Sequence, residues 1–409
     1  VSQMINASEP PSPSYKALTF VLALTLAIGP LALDLYLPAF PAIAADLNVG
    51  TDDIGLSVSF YVFTMALSQL IGGALSDRLG RKPILTGGLI LFALASFALT
   101  QVSTLNSLLG FRVLQAFGGG WVLVSIPALV RDRTSGKAAA RLFSMVGLIM
   151  IIAPAMAPTL GSFLLQLGSW HLLFLFLGVY ALLIMPLLFR FVLQGNPHRP
   201  AEGHDRASLW QQYRSVLSTR LALPFIGWQS CCFTTMMIFI THSSFIYQQH
   251  FDQTEEAFAL LFGANIVIMM VCNLTSRWLL NWVSSRFLLR CATGLQGMGI
   301  LALSITVWQE GPVMAFLPCM MITIGAMGAI TPNLQASYLE FFPKNSGTAA
   351  AIMGAVQFSI AGLLSGLSTM LPQTLSAVIA AMSICVAVAW GFMLLEYRIG
   401  GAARRSASH

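Results

Sequence analysis

The sequence predicts an all-α membrane protein of twelve transmembrane helices in two six-helix halves. Three observations carry this. The chain of 409 residues is 56% apolar and only 9% charged, against about 25% charged in soluble domains. Its apolar residues gather into runs of the ~20 residues that span a bilayer. All but one of its 21 Lys and Arg residues lie at the ends of those runs or between them. The net charge of +6 does not point to nucleic acid, because the cations punctuate apolar runs instead of clustering on a polar surface.

The runs fall at about 17–42, 55–75, 83–101, 106–130, 142–167, 170–189, 221–248, 257–275, 291–307, 312–335, 346–371 and 374–394. Loops after the even-numbered runs carry the Lys and Arg residues: Arg78, Arg81 and Lys82 after the second, Arg131 to Arg141 after the fourth, Arg277 to Arg290 after the eighth. Loops after the odd-numbered runs hold no Lys or Arg, only acids: Asp46, Asp52, Asp53, Asp252, Glu255, Glu256 and Glu310. The positive-inside rule then puts both termini and every even loop in the cytoplasm. A miscounted run would break this alternation, so it also supports the number twelve.

The chain divides into a polar tail (1–16), a first half (17–194), a linker (195–220), a second half (221–397) and a short tail (398–409). Residues 1–15 are Pro/Ser-rich and lack a charged segment followed by a short apolar core, so no signal peptide is expected. The linker is polar, and 208–217 is expected to form a short surface helix. The six cysteines sit in or beside apolar runs with no zinc spacing and read as small core hydrophobes. No nucleotide loop, metal site or hydrolase triad is present. The expectation is a protein that is not an enzyme and needs no cofactor or metal.

Asp34 in the first run and Arg112 in the fourth are the charges within apolar runs. A charge at bilayer depth is costly and marks a partner or a wet cavity. Pro30, Asp34 and Pro38 are spaced four apart. Pro38 offers no N–H to the Asp34 carbonyl, and Pro30 none to that of Leu26, so the helix is expected to bend around Asp34. Counting 1.5 Å per residue, Asp34 and Arg112 lie ~12 Å and ~9 Å from the outer ends of their helices, at similar depth. A direct or single-water contact between them is expected. Two plainer readings remain open: a purely structural ion pair for Asp34, and an Arg112 side chain that snorkels to the outer interface.

After the second run comes Gly73-Ala-Leu-Ser-Asp-Arg-Leu-Gly-Arg-Lys-Pro83. Gly73 allows close helix contact, and Gly80 a left-handed turn. Asp77 is placed to cap a helix, and Arg78 and Arg81 hold the loop in water. A charged turn obeying the inside rule is the simpler alternative. In the fourth run, Arg112, Gln115 and Gly119 share one helical face, where Gln115 can order the guanidinium. In the fifth, Pro154, Pro158 and Gly161 lie among small residues and form a face for close packing, generic or functional.

These segments resemble the major facilitator superfamily. The loop resembles its signature G-x-L-x-D-R-x-G-R-[KR], with the third position displaced by one. Arg112-Val-Leu-Gln115 resembles its fourth-span motif R-x-x-Q-G, with Ala116 in place of Gly. Ala157-Pro-Thr-Leu-Gly161-Ser162 resembles the antiporter motif G-x-x-x-G-P-x-x-G-G, with Ala and Ser replacing two glycines. Leu33-Asp-Leu-Tyr-Leu-Pro-Ala-Phe-Pro41 resembles the first span of the bicyclomycin/chloramphenicol-resistance branch of drug/proton antiporters. The resemblance implies two six-helix repeats around a midplane site.

It also implies proton-driven export of small, largely apolar drugs by a monomer in the bacterial inner membrane. Its partners would be a small-molecule substrate, protons and the lipid bilayer. Proton coupling would fall to Asp34, assisted by Arg112 and Gln115. Substrate would meet Asp34, Tyr36, Tyr61, Ser243, Asn333 and Gln357. The loop of Gly73, Asp77, Arg78, Gly80 and Arg81 would gate by meeting the start of the eleventh span. His242 either titrates in the cycle or is structural. The alternatives are a proton-coupled importer of a small metabolite and a membrane sensor that transports nothing.

Overall fold

The computed structural model describes residues 13–133, 136–193, 214–342 and 346–406. Eleven of the twelve runs form helices long and apolar enough to cross a membrane. The fifth forms the helix Gly136–Leu167, with a described apolar stretch over Ile152–Leu167. We number these spans 1 to 12. Span 2 is Thr51–Leu79, span 3 Arg81–Leu99, span 4 Leu105–Arg133 and span 6 His171–Phe191. Span 7 is Leu223–Ser244, continued by the π-turn Phe245–His250. Spans 8, 9, 11 and 12 are Glu255–Leu279, Ser285–Trp308, Ser346–Ser368 and Leu375–Ser406.

Spans 1 and 10 are broken. Span 1 is helical over Pro13–Asp34, passes through a 3₁₀ turn at Leu37–Ala39, and resumes over Phe40–Leu47. The expected bend is thus a full interruption, starting at Asp34, where Pro38 withholds its N–H. Span 10 was expected as one run and is two helices, Val313–Gly325 and Met327–Leu339. Pro332 frees the carbonyl of Gly328, and Asn273 of span 8 takes it at 2.9 Å. In the linker, residues 214–217 are helical; the rest of the expected 208–217 helix lies outside the described residues.

Short polar devices fix the span ends. Asp53 accepts the Gly50 N–H at 2.9 Å to start span 2. Thr254 and Ser284 accept from Ala257 and Phe287 to start spans 8 and 9. Each satisfies an N–H with no helical partner. Gly80 has φ +94°, the turn that joins spans 2 and 3 with no intervening loop.

The two halves pack alike. In the first, span 1 lies against 5 and 6, span 4 against 2 and 3, and span 3 against 6; adding six to each number gives the packing of the second. The two six-helix repeats that the resemblance implies are therefore present in space. The halves meet where span 2 lies against spans 7 and 11 and span 5 against span 8. Large apolar side chains such as Leu94, Leu183 and Leu260 remain exposed around the bundle, as a hydrocarbon solvent requires.

Candidate functional site

The break in span 1 creates the site. An α-helix leaves its last four carbonyls without helical partners. The last such bond here runs from the Leu35 N–H to Leu31, so the Ala32 carbonyl opens toward span 4. Arg112 Nη1 donates to it at 2.9 Å. The guanidinium caps the negative end of a helix dipole, a favourable place for a buried cation. Nη1 also donates to Gln115 Oε1 at 2.6 Å, and Gln115 Nε2 to Ser96 Oγ of span 3 at 2.8 Å. The i, i+3 pairing expected within span 4 is present. Ser96, which extends it to span 3, was missed; a lone serine in an apolar run was the available signal.

Two rings complete the setting of Arg112. Its Cζ lies 4.3 Å from the centroid of Tyr36 and 4.3 Å from that of Tyr61. Both tyrosines are 0% exposed. Tyr36 is held by Ser57 Oγ at 2.7 Å. In this closed arrangement both rings serve as faces for the cation. Each desolvated cation–π contact is worth about 2 kcal/mol, which offsets part of the penalty for burying Arg112.

Asp34 is buried two residues beyond the Ala32 carbonyl, with its Oδ1 free of any hydrogen bond. Among the described residues it forms no ion pair, so the expected direct contact with Arg112 is absent. The guanidinium reaches the backbone of span 1 instead of its carboxylate. Arg112 Nε and Nη2 and the Tyr61 hydroxyl are also buried without partners. Unsatisfied polar atoms this dense are unusual in a folded interior. They equip the region to take up a proton, water or a polar ligand group.

Span 5 presses on the same break. A Cβ built on Gly161 would stand 1.9 Å from the Leu35 carbonyl oxygen, so only glycine lets the two backbones approach. Pro154 and Pro158 lie within the same helix. This agrees with the close-packing face read from the sequence.

The remaining expected residues are scattered. Asn333 is fully engaged: its amide donates to Ser276 Oγ at 2.6 Å and Ala329 O at 2.8 Å, and its oxygen accepts from Ser285 at 2.9 Å. It pins span 10 to spans 8 and 9. Ser243 donates to its own helix at Ile240. Gln357 is buried on span 11 with Oε1 unpartnered, as is Oε1 of Gln229 on span 7, a residue not singled out before. Where spans 2 and 3 join, Arg81 Nη1 donates to Ser76 at 3.0 Å; Gly73 and Arg78, expected in a loop, lie in the last turns of span 2, and Gly80 alone makes the turn. The Asp77 side chain and Asn345, which precedes span 11, lie outside the described residues.

The halves are closed at the end that carries the acidic loops. Gln248 Nε2 donates to Pro38 O at 3.0 Å, Gln249 to Thr51, and Gln166 to Glu256 at 2.7 Å. Deeper in the seam, Ser59 meets Ser365 at 2.9 Å.

Known proteins agree with this geometry. Residues 22–366 match the Major Facilitator Superfamily model. A bicyclomycin resistance protein homolog of Haemophilus influenzae is 28% identical, over 90% of this chain and 94% of its own length. A chloramphenicol resistance protein of Pseudomonas aeruginosa is 30% identical, over 83% and 79%. The crystal structure of a D-xylose-proton symporter superposes with a TM-score of 0.74 at 15% identity, covering 93% of this chain and 97% of that one; at that identity the likeness concerns the fold alone. With the paired six-span halves, the broken first span and the matched family model together, the chain belongs to the major facilitator superfamily.

Proposed function

We propose that this protein is a proton-coupled multidrug efflux transporter of the bicyclomycin/chloramphenicol-resistance branch, working by alternating access. The observation that carries the reading is Asp34, a buried carboxylate with an unpartnered oxygen at the break of span 1. The names of the relatives supply the substrate class. The positive-inside rule supports a bacterial inner-membrane orientation with both termini in the cytoplasm, so the closed acidic end faces outward.

The exchange runs by competition. A proton from outside neutralises Asp34, removes the negative charge that holds a cationic or dipolar substrate, and substrate leaves. Loss of that proton to the cytoplasm restores the carboxylate for the next substrate. Arg112 keeps the broken end of span 1 fixed while Asp34 changes charge, and Gln115 keeps Arg112 fixed. Gln357 offers substrate an unpaired acceptor in the second half; the rest of the contact is apolar. An apolar pocket discriminates weakly, since a methylene is worth only ~1–3 kcal/mol. Several unrelated substrates follow, neutral or monocationic. The transporter acts as a monomer, and the Gly73–Arg81 loop gates it.

The test is expression in an efflux-deficient bacterial host with a matched panel of neutral, cationic and anionic compounds. Inverted vesicles then supply the driving force. Resistance to neutral and cationic drugs is expected, with vesicle accumulation that collapses when the proton gradient is dissipated. Selective movement of a polyanionic sugar phosphate, with none of neutral or cationic drugs, would overturn the proposal.

A further inference from the structure

The closed acidic end contains a titratable pair separate from Asp34. Spans 2 and 7 touch through backbone there: a Cβ on Gly55 would lie 2.9 Å from the Thr241 carbonyl oxygen. The next residue of span 7, His242, is therefore held against the first turn of span 2 and is 4% exposed. Its Nε2 lies 2.9 Å from Ser368 Oγ of span 11. Its Nδ1 lies 3.9 Å from Asp52 Oδ1 of span 2. The side chain of Gln373, in the turn between spans 11 and 12, also faces Asp52. One acid of the first half thus meets two groups of the second.

Ser368 fixes where the imidazole hydrogen sits. With its hydroxyl donating to the Ser365 carbonyl at 2.6 Å, its oxygen is left to accept from Nε2, and we assign the imidazole hydrogen there on that ground. A neutral imidazole has a single N–H. Nδ1 would then turn a lone pair toward the Asp52 carboxylate, two acceptors facing one another in a largely buried seam. One proton between them removes the conflict. It makes either an imidazolium–carboxylate pair or a carboxylic acid facing a neutral imidazole, and the count is the same.

Among the described residues, no Lys or Arg pairs with Asp52. Asp53, beside Asp52, accepts the Gly50 N–H and adds negative charge. Span 11 contributes the hydroxyls of Ser365 and Ser368. The 3₁₀ turn Leu37–Ala39 has no ionisable residue, and the first in span 12 is Cys385. In span 10, the segment packed on span 7 carries Tyr338 near its opposite end and Glu340 just past it. On the π-turn, Tyr247 accepts from Asn265 at 3.2 Å, and His250 packs on Phe251.

We infer that the acidic end holds a proton-binding site shared by His242 Nδ1 and Asp52, filled when that end closes and emptied when spans 2 and 7 part. The site rests only on the alternating-access part of the proposed function; the identity of the substrate does not enter. Closure takes one proton from the solution at the acidic end, and opening returns it. A low pH on that side therefore favours the closed form, independently of any proton on Asp34.

The test measures closure directly. Spin labels at Asn106→Cys and Gln309→Cys, both exposed at the acidic end, report the separation of the halves by pulsed dipolar spectroscopy. The full chain is used, with its six cysteines replaced by alanine. One linked proton changes the closed-to-open ratio by up to about tenfold per pH unit, and acidification is expected to raise it. The response should persist with Asp34→Asn. It should flatten with His242→Gln, which keeps a donor for Ser368 but cannot titrate, and with Asp52→Asn, which differs by one group and decides the matter should the first variant not fold. A wild-type titration in either well-folded variant overturns the inference, as does its loss with Asp34→Asn alone. Failure of drug export in the same host would bear on the substrate reading and leave this site standing.

Discussion

Gly161→Ala adds one methyl group where span 5 crosses the break in span 1. The new Cβ would lie 1.9 Å from the Leu35 carbonyl oxygen and 3.2 Å from Pro38 Cγ. Real Cβ atoms essentially never come within 3.0 Å of such neighbours, so the two backbones must part by at least 1.1 Å. The obstacle is main chain, and no rotamer change relieves it. Overpacking a tight interior costs about 1–3 kcal/mol, and a clash of backbone with helix belongs at the upper end, roughly 3 kcal/mol. The displaced residue adjoins Asp34. Thermal unfolding in detergent, followed by tryptophan fluorescence, should show a clear loss of stability. Vesicle transport should fall with it. Gly110→Ala and Gly354→Ala are the controls, because a Cβ at either meets nothing within 4 Å. If Gly161→Ala matched these controls in both measurements, the close approach of spans 1 and 5 would be refuted.

Three further outcomes follow from the same geometry. Asp34→Asn should abolish export driven by an imposed pH gradient in proteoliposomes while the protein stays folded; wild-type export there would remove Asp34 from the coupling. Arg112→Lys should retain less activity than wild type and more than Arg112→Ala, because lysine keeps the charge but loses the planar fork and its fit between Tyr36 and Tyr61. The alanine variant should also lose about 2–5 kcal/mol of stability as a large buried side chain is removed, measured by thermal unfolding. Asn333→Ala should lower stability by about 1–3 kcal/mol through the partners it leaves unpaired and leave the pattern of exported drugs unchanged; an altered drug profile at normal stability would return Asn333 to the substrate site.

The features legible in the sequence were those set by local chemistry. Pro38 announced the break after Asp34, because a missing N–H acts within one turn. Arg112 and Gln115 met as their spacing required. The alternating loop charges counted the spans. Contacts set by helix rotation were not legible. Nothing in the first two runs says that Tyr36 and Tyr61 close on the two faces of one guanidinium, since that depends on how spans 1, 2 and 4 turn against each other. Asn333 was expected at the substrate, yet Ser276 and Ser285 of two other helices and Ala329 of its own engage its amide nitrogen and oxygen. The break in span 10 at Ala326 was not legible, because its run looked unbroken in hydropathy and Pro332 lies six residues beyond it, inside the second helix.

The seam between the halves is fastened by serine hydroxyls and glutamine amides, such as Ser59 on Ser365 and Gln248 on the Pro38 carbonyl. A neutral hydrogen bond is worth only about 0.5–1.5 kcal/mol net, because water replaces it readily. A handful of them sums to the few kcal/mol that separate interconverting states of one protein. Dwell time on each side of the cycle is therefore set by weak fasteners that thermal motion undoes singly. A permanent arginine–carboxylate clamp in their place would lengthen that dwell and turn a shuttle into a stopper.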